Sequence, residues 1–329
     1  MATYKGINGF AVQSVATDPS PLDEGQVWYN NATYAFKLAG ISTVGTWASG
    51  GNMSTARGYL AGAGTQTAGL VMGGNPGSSP YATNSTEEYD GSTWTAGGNL
   101  GTGRRNLAGC GTQTAGLAMG GSSPYQGTTE EYDGTSWSPG GTMSTARGYS
   151  GSTGIQTAGL VFGGFAPPRT GATEEYDGTS WTTGGTMSTA RNNLGGAGTQ
   201  TAGLGFGGYL GGASYSNATE EYDGTSWTSG GNLVTTRGFL AGSGLQTAAL
   251  AFGGDGTAGP TGATGATELY NGTSWTSNPT GLVTARFALA GAGTQTAALA
   301  FGGKISSVSA ATEEWTGPGS PVTQTITTS

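Results

Sequence analysis

Short runs of apolar and small residues, separated by turn-forming residues, divide most of this chain into β-prone pieces. Residues 56–64 (ARGYLAGAG) and 67–74 (TAGLVMGG) are separated by TQ, which is typical of two strands joined by a tight turn. Residues 85–96 (STEEYDGSTWTA) form a second such pair that turns at Asp90-Gly91, a dipeptide that tolerates the positive φ of hairpin turns. The pattern therefore predicts four short antiparallel strands in this stretch.

The same four pieces recur five more times, at a period of roughly 45 residues. Each unit has an arginine 16 residues before a Gly-Gly pair, namely Arg57, Arg104, Arg147, Arg191, Arg237 and Arg286. Five units have a tryptophan seven residues after the first glutamate of an acidic pair or its equivalent, namely Trp94, Trp137, Trp181, Trp227 and Trp275. Six units of four strands predict an all-β fold, a six-bladed β-propeller over residues 41–329.

The way in which the predicted ring closes is indicated by a displaced tryptophan. In the sixth unit Ser320 stands where the tryptophan is expected, whereas Trp47 precedes Arg57 by the usual 10 residues. We therefore expect residues 41–50 (ISTVGTWASG) to supply the outer strand of the last blade. The alternative is that Val322–Thr328 (VTQTITT) fills this position, and the sequence leaves both open.

The repeat resembles a known family. A Gly-Gly pair that ends a strand, then an acidic pair leading to Tyr, then Trp and then Arg is similar to the kelch repeat, over roughly residues 41 to 317. The resemblance implies a kelch-like β-propeller. It implies no particular activity, because kelch domains serve many functions.

Composition and charge exclude several classes of function. The net charge is −8 with only three lysines, so no basic stripe is available for nucleic acid. Histidine is absent, which argues against His-based catalysis and most zinc or copper sites. The single Cys110 is interpreted as a small buried residue. We expect no enzyme activity, metal or cofactor, although oxygen-liganded Ca²⁺ remains open.

The repeated arginines and glutamates are interpreted as structural. Six of the 11 basic residues are the repeat arginines, and their pattern is the same in every unit. A ligand site usually breaks such symmetry, so pairing within or between blades is the favoured interpretation. The repeated tryptophans, with Trp47, are expected to pack between blades.

The first 40 residues lie outside the repeat. They lack the pattern of a secretory signal, and no apolar stretch is long enough to span a membrane. The GQVWYN stretch resembles the N-terminal pieces of tailed-phage virion proteins, particularly tail-fibre-like ones. That resemblance implies an extended or hairpin arm, residues 1–40, that attaches to the virion through Tyr4, Phe10, Trp28 and Tyr29. The alternative is a strand-like cap on the propeller.

The units differ mainly in the variable loops between Gly-Gly and Thr-Glu. These are residues 75–85, 122–128, 165–171, 209–217, 255–265 and 304–310. In a four-stranded blade such loops share one rim, and variable loops on a rigid scaffold are where binding surfaces usually lie. The side chains expected to bind are Tyr81, Tyr125, Phe165, Arg169, Tyr209, Tyr215, Asp255 and Lys304.

These features predict a structural and recognition protein of a bacteriophage particle, assembled in the host cytoplasm and present as a homo-oligomer. Residues 1–40 are expected to bind other virion proteins, and the loop face either a host surface glycan or a neighbouring virion protein, with no nucleic acid and no membrane insertion. Two alternatives stay open. One is a purely architectural decoration of capsid or tail, and the other is a glycan-degrading propeller enzyme, which Asp255 as the one acid of the variable loops makes less favoured.

Overall fold

In the computed structural model the described residues are 12–22, 24–122, 124–256, 262–319 and 321–326. Every regular element within them is a β-strand, which confirms the all-β prediction. None of them forms a helix of the length and apolarity that crossing a bilayer requires. The chain divides into two compact units, Thr46–Trp315 and Met1–Gly45 with Thr316–Ser329.

The strands are short and follow the repeat. The chain begins with β1 (Gln13–Val15), β2 (Val27–Asn30), β3 (Ala35–Ile41) and β4 (Thr46–Ser49). The first repeat contains β5 (Ala61–Gly64), β6 (Gly69–Met72), β7 (Thr86–Tyr89) and β8 (Trp94–Ala96). The second contains β9 (Ala108–Gly111), β10 (Gly116–Met119), β11 (Thr129–Tyr132) and β12 (Trp137–Pro139). The third contains β13 (Gly151–Ile155), β14 (Ala158–Phe162), β15 (Thr173–Tyr176) and β16 (Trp181–Thr183).

The remaining repeats continue this order. The fourth contains β17 (Gly195–Gly198), β18 (Gly203–Phe206), β19 (Tyr209–Gly211), β20 (Ser214–Tyr215), β21 (Thr219–Tyr222) and β22 (Trp227–Ser229). The fifth contains β23 (Ala241–Leu245), β24 (Ala248–Phe252), β25 (Thr267–Tyr270) and β26 (Trp275–Ser277). The sixth contains β27 (Ala290–Gly293), β28 (Ala297–Phe301) and β29 (Thr312–Thr316), and β30 (Pro321–Thr325) follows.

Each repeat forms one four-stranded sheet. The first five have the strand orders β5-β6-β7-β8, β9-β10-β11-β12, β13-β14-β15-β16, β17-β18-β21-β22 and β23-β24-β25-β26. The sixth has the order β27-β28-β29-β4, so its fourth strand is Thr46–Ser49. This architecture is compatible with a β-propeller. We call the end where the Gly-Gly pairs lead into the variable loops the loop end, and the end with the hairpin turns the turn end.

The smaller unit has a sheet of its own, in the order β1-β2-β3-β30. Strand β1 is parallel to β2, whereas β2 and β3, and β3 and β30, are antiparallel. The C-terminal strand β30, the second sequence candidate for the outer strand of the last repeat sheet, thus pairs with β3.

The first strand of each sheet is an inner strand packed against the inner strands of neighbouring repeats. Strand β5 contacts β9 and β27. Further contacts join β9 to β13, β13 to β17, β17 to β23 and β23 to β27. The packing is close enough to require glycine: a Cβ added at Gly242 would lie 2.7 Å from the carbonyl oxygen of Gly196. The Gly- and Ala-rich composition of these strands therefore follows from the small separation of their backbones.

The apolar core is divided among six clusters, each between two repeat sheets. At each junction a tryptophan contributes its ring and a hydrogen bond to a threonine of the neighbouring sheet. Trp94, for example, lies 5.1 Å from Phe301 and donates through Nε1 to Thr312 Oγ1 at 2.9 Å. The other tryptophan-to-threonine bonds join Trp47 to Thr267, Trp137 to Thr86, Trp181 to Thr129, Trp227 to Thr173 and Trp275 to Thr219.

Polar contacts also join successive sheets. The side-chain amide of Gln113 donates to the carbonyl oxygens of Gly69 and Tyr89 in the preceding repeat, and each of the other repeats has an equivalent glutamine. The tyrosine that ends the third strand donates its hydroxyl to the second glutamate of the preceding repeat, as Tyr89 does to Glu314. The further pairs are Tyr132 with Glu88, Tyr176 with Glu131, Tyr222 with Glu175 and Tyr270 with Glu221.

One junction replaces both partners of the tyrosine–glutamate bond. Between the fifth and sixth repeats, Leu269 stands in place of the glutamate and Trp315 in place of the tyrosine. Trp315 is fully buried in an apolar cluster against which Leu269 packs. Its Nε1 donates to the carbonyl of Gln295 at 2.8 Å. Because both members of the partly buried polar pair are replaced, neither is left without a hydrogen-bond partner at this junction.

We expect the fold to lose stability as the pH rises from about 10 to about 12. Burial, and then the hydrogen bond to glutamate, raises the pKa of five tyrosines to about 12, namely Tyr89, Tyr132, Tyr176, Tyr222 and Tyr270. An unfolded chain ionises its tyrosines near pH 10, so their contribution is complete below that pH and declines above it. Denaturant unfolding across this range, with tyrosinate absorbance as a second probe, measures the effect. Ionisation of all tyrosines near pH 10 without loss of stability contradicts it.

Candidate functional site

A buried ion pair fixes the loop end of each repeat sheet. Arg147 Nη2 lies 2.9 Å from Glu174 Oε1, and the two side chains are 0% and 2% exposed. Glu174 Oε2 also accepts the backbone N–H of Ser144 at 2.7 Å. The equivalent pairs are Arg57–Glu87, Arg104–Glu130, Arg191–Glu220, Arg237–Glu268 and Arg286–Glu313. Because the guanidinium groups are buried, the repeat arginines hold strands in place and offer no charge to a ligand.

Two positions after each repeat arginine, the chain adopts a left-handed conformation and forms what we call the collar. The six collar residues are Tyr59, Asn106, Tyr149, Asn193, Phe239 and Ala288, with φ between 52° and 61°. Each donates its backbone N–H to the carbonyl oxygen of the previous collar residue at 2.8 Å, and Tyr59 donates to Ala288, so the bonds form a closed cycle. Positive φ is rare for tyrosine and phenylalanine, and the cycle of hydrogen bonds holds them in this conformation.

The collar lines a cavity of about 90 Å³, with Tyr59 and Phe239 on one side and with Asn106 and Asn193, which flank Tyr149, on the other and more polar side. The rings of Tyr59 and Phe239 meet edge to face at 6.3 Å, because the collar residue between them is the small Ala288. On the polar side, Asn106 is 7% exposed and donates through Nδ2 to Ser122 Oγ at 2.7 Å. Its Oδ1 has no hydrogen-bond partner within the described residues. Buried polar atoms without a partner are uncommon in folded proteins, so this oxygen is an exception among the buried polar groups.

The variable loops begin beside the collar and contact one another. Backbone bridges join the residue after each arginine to the first residue of the variable loop, as in Gly148 to Phe165. The Phe165 ring lies 5.7 Å from that of Tyr125 in the previous loop. The Arg169 guanidinium lies 5.6 Å from the Phe165 ring and 4.8 Å from the Tyr209 ring of the next loop. Four of the eight predicted binding side chains thus form one cluster.

A second group continues this surface through the fourth and fifth loops. Tyr209 and Tyr215 lie 5.4 Å apart, and Tyr215 donates its hydroxyl to Asp255 Oδ2 at 2.9 Å. Both rings lie 6.5 Å from Phe239 of the collar, which in turn is 6.0 Å from Phe287. Asp255 is only 6% exposed, so it positions Tyr215 and is not an accessible acid.

The two remaining predicted binding side chains line a separate cleft. Tyr81 of the first loop is 57% exposed, and Lys304 begins the sixth loop. Both border a cavity of about 460 Å³ that Tyr59 of the collar also lines.

The collar itself was not among the residues predicted from sequence to bind. Its signal is nevertheless present, because the second residue after each repeat arginine varies whereas the arginine does not. The same is true of the first residue after it, which is Arg105, Asn192 or Phe287 in three repeats and glycine in the others. Variation at these two positions, beside an arginine that all six repeats share, indicates side chains that the scaffold does not need.

The turn end has a different chemistry. Asp133 accepts the backbone N–H groups of Ser136 and Thr135, which lower the pKa of its carboxyl group. Asp90, Asp177 and Asp223 lie in the same turn of other repeats, and backbone N–H groups likewise lower their pKa values. Because these carboxylates are used by the turns that contain them, the turn end is scaffold.

Reactive groups are scarce in the described residues. Burial raises the pKa of Cys110 to about 12, so its thiol is not a nucleophile near neutral pH. The described part of the chain contains no group of three or more His, Cys, Asp or Glu residues that could hold a metal ion. The two glutamates of each acidic pair face different partners, arginine for the first and tyrosine for the second, and do not converge on one bond.

Two of the four predicted attachment residues, Trp28 and Tyr29, lie in the described part of the smaller unit. Trp28 is buried in β2 and donates through Nε1 to Asp18 Oδ1 at 2.9 Å. Tyr29 is half-buried on the same strand, and its ring lies 5.1 Å from the exposed Phe36. Tyr4 and Phe10 lie outside the described residues.

The resemblance to the kelch repeat is carried by the residues of the repeat itself. No protein-family model matches this chain, and no curated protein matches it.

Proposed function

We propose that this protein is a six-bladed kelch-like β-propeller that acts as a structural and recognition protein of a bacteriophage particle. Its loop end binds a host surface glycan or a neighbouring virion protein. Binding is non-covalent, through aromatic stacking and hydrogen bonding. Residues 1–40 attach it to other virion proteins, in a homo-oligomer assembled in the host cytoplasm.

Closure of six blades is supported by contacts that return from the sixth repeat to the first. Strand β27 lies beside β5, and Tyr59 donates its backbone N–H to the carbonyl of Ala288. Across the same junction Gln66 donates to the carbonyl of Trp315 at 2.7 Å. Strand β4 occupies in the last sheet the position that the tryptophan-bearing strand occupies in the other five. A propeller closed in this way has no long exposed sheet edge in its centre.

The observation that carries the recognition role is the aromatic surface at the loop end. Six of the eight predicted binding side chains, from Tyr125 through Asp255, form a continuous series of contacts, which joins the collar at Phe239. These side chains differ from repeat to repeat although the scaffold below them is the same. Rings fixed by neighbouring rings lose little entropy on binding, which suits them to the faces of sugars.

The phage assignment rests on the resemblance of residues 1–40 to N-terminal pieces of tail-fibre-like proteins. A phage recognition protein must be fixed to the particle through one segment and expose its binding surface on another. A propeller with a separate attachment segment meets both requirements. The pairing of β30 with β3 places strands from near both ends of the chain in the smaller unit.

Replacing the six variable loops with Gly-Ser linkers of equal length is expected to reduce host-cell adsorption to background. The linkers remove the aromatic side chains but leave the buried arginine–glutamate pairs that hold the loop end. Adsorption of labelled protein to host cells measures the effect, with denaturant unfolding as a test of folding. The matched control is I155S/L245S, which alters two exposed apolar residues at the turn end and leaves adsorption unchanged.

Each other result of this experiment contradicts part of the proposal. Full adsorption by the loop-replaced protein overturns the recognition role. If that protein also assembles into particles of reduced stability, the role is architectural. Release of reducing ends from host polysaccharide by the unaltered protein identifies an enzyme instead.

A further inference from the structure

Positive charge is concentrated at the loop end. Of the nine basic residues in Thr46–Trp315, six are the buried repeat arginines, and the others are Arg105, Arg169 and Lys304. All three belong to variable loops or follow a repeat arginine directly. The one acid in the variable loops, Asp255, is buried against Tyr215. In a chain with a net charge of −8, the variable loops and the residues that follow the repeat arginines thus carry three basic side chains and one acid.

Lys304 lies in the cleft between the sixth and first variable loops. Its backbone is fixed by bridges to Phe287 and to Val308 in its own loop. Within the described residues, its ammonium group makes no hydrogen bond or ion pair with protein. The cleft of about 460 Å³ is within the range of small-molecule sites, roughly 300–1,000 Å³. A lysine without a protein acid in such a cleft is available to an anionic ligand.

The other lining residues favour a saccharide. Tyr81 has an exposed ring, and Tyr59 is the collar residue that lines the cleft. Ser78, Ser306 and Ser307 add hydroxyl groups that donate and accept hydrogen bonds. Aromatic faces beside several hydroxyls match a sugar ring better than they match an extended acidic peptide, which requires paired backbone groups or an arginine cluster.

We propose that this cleft binds an acidic saccharide whose carboxylate is held by Lys304 and whose ring packs on Tyr81 and Tyr59. The inference rests on the proposed recognition role and specifies its ligand class. It assigns charge recognition to the junction of the first and sixth repeats. The continuous aromatic series on the opposite side of the collar then contacts further sugars of the same chain.

The test uses the full chain with immobilised alginate, hyaluronate and polysialic acid as acidic probes and dextran as the neutral probe. We expect binding to an acidic polysaccharide, weakened by salt, and a loss of about tenfold or more in K304Q because a charge-assisted bond is removed. Y81A is expected to weaken the same binding. K37Q, which removes a lysine of the smaller unit, is the matched control and retains binding.

The outcomes separate this inference from the proposed function. Binding to dextran in preference to the acidic probes, with K304Q unchanged, overturns the acidic ligand and leaves glycan recognition standing. Polyglutamate is added as an acidic peptide probe. Binding of polyglutamate but of no polysaccharide overturns the saccharide ligand and indicates an acidic protein partner. If the loop-replaced protein adsorbs to host cells as well as the original does, the proposed function and this inference both fail.

Discussion

Replacing Glu174 with alanine is expected to lower the free energy of unfolding by about 3–5 kcal/mol. The change leaves the Arg147 guanidinium buried without its carboxylate partner, and it also removes the acceptor for the backbone N–H of Ser144. Burial already lowers the pKa of Arg147, which shows that its charge is costly to hold inside the protein. Urea unfolding followed by circular dichroism measures the loss.

Two controls show whether the loss of stability comes from the buried charge that is left without a partner. Glu24 is an exposed carboxylate in the smaller unit, and E24A should change stability by no more than about 0.5 kcal/mol. The double variant R147M/E174L removes both charges and should be less destabilised than E174A, as the natural pair Leu269 and Trp315 illustrates at a different position. If R147M/E174L loses as much stability as the single variants R147M and E174L lose in sum, the unpaired charge is not the cause of the loss.

Replacing Trp47 with alanine is expected to cost about 3–5 kcal/mol, although this residue lies far from the rest of its sheet in sequence. Its ring lies 4.9 Å from Phe252 and 5.3 Å from Trp315, and Nε1 donates to Thr267 Oγ1 at 2.9 Å. The substitution leaves a cavity between the fifth and sixth sheets and removes the N–H that donates to the Thr267 hydroxyl. Chemical and thermal unfolding of the purified variant measure the effect.

The matched comparison is W275A. Trp275 lies 4.9 Å from Phe206 and donates to Thr219 Oγ1 at 2.9 Å, but its strand follows its own sheet directly in sequence. Equal losses in the two variants indicate that β4 is a full member of the last sheet. A loss below about 1 kcal/mol in W47A, beside a full loss in W275A, is evidence against closure by this strand. Y34A, at a position that is 81% exposed, should be nearly neutral.

The repeat made much of the fold predictable. Strands of three to five residues, hairpin turns at Asp-Gly and glycine-rich inner strands all follow from local patterns, which recur in six versions that reinforce one another. The all-β prediction is confirmed for this reason. The interpretation of the repeat arginines as structural depended on their identical spacing, and the structure places each beside a buried glutamate.

The contacts between repeats could not be predicted in the same way. Gln113 and Tyr89 are neighbours, and so are Tyr89 and Glu314, at sequence separations of 24 and 225 residues. Two departures from the repeat in the sequence bear on the second kind of contact: the fifth repeat has Leu269 in place of the second glutamate, and the sixth has Trp315 in place of the tyrosine. Because both partners of the tyrosine–glutamate contact are replaced at this one junction, Leu269 and Trp315 together indicate that the two positions are in contact.

The candidate site was likewise predictable from the sequence only in part. The sequence located the variable loops and named Tyr125, Arg169 and Tyr209, but it did not show that their rings and guanidinium group stack into one surface. The left-handed conformation of the collar could not be predicted, because a tyrosine or phenylalanine with positive φ has no local sequence signature. Its conformation depends on a hydrogen bond from the next repeat.

The sequence by itself thus determined the strands, their grouping in fours and the positions at which the repeats differ, because hydrophobic alternation and turn chemistry act over a few residues. The tertiary structure alone decided which strand completes the last sheet, where β30 pairs, and which varying side chains share a cleft. Those choices depend on contacts between residues that are distant in sequence, and a short strand does not specify its partner by its own pattern.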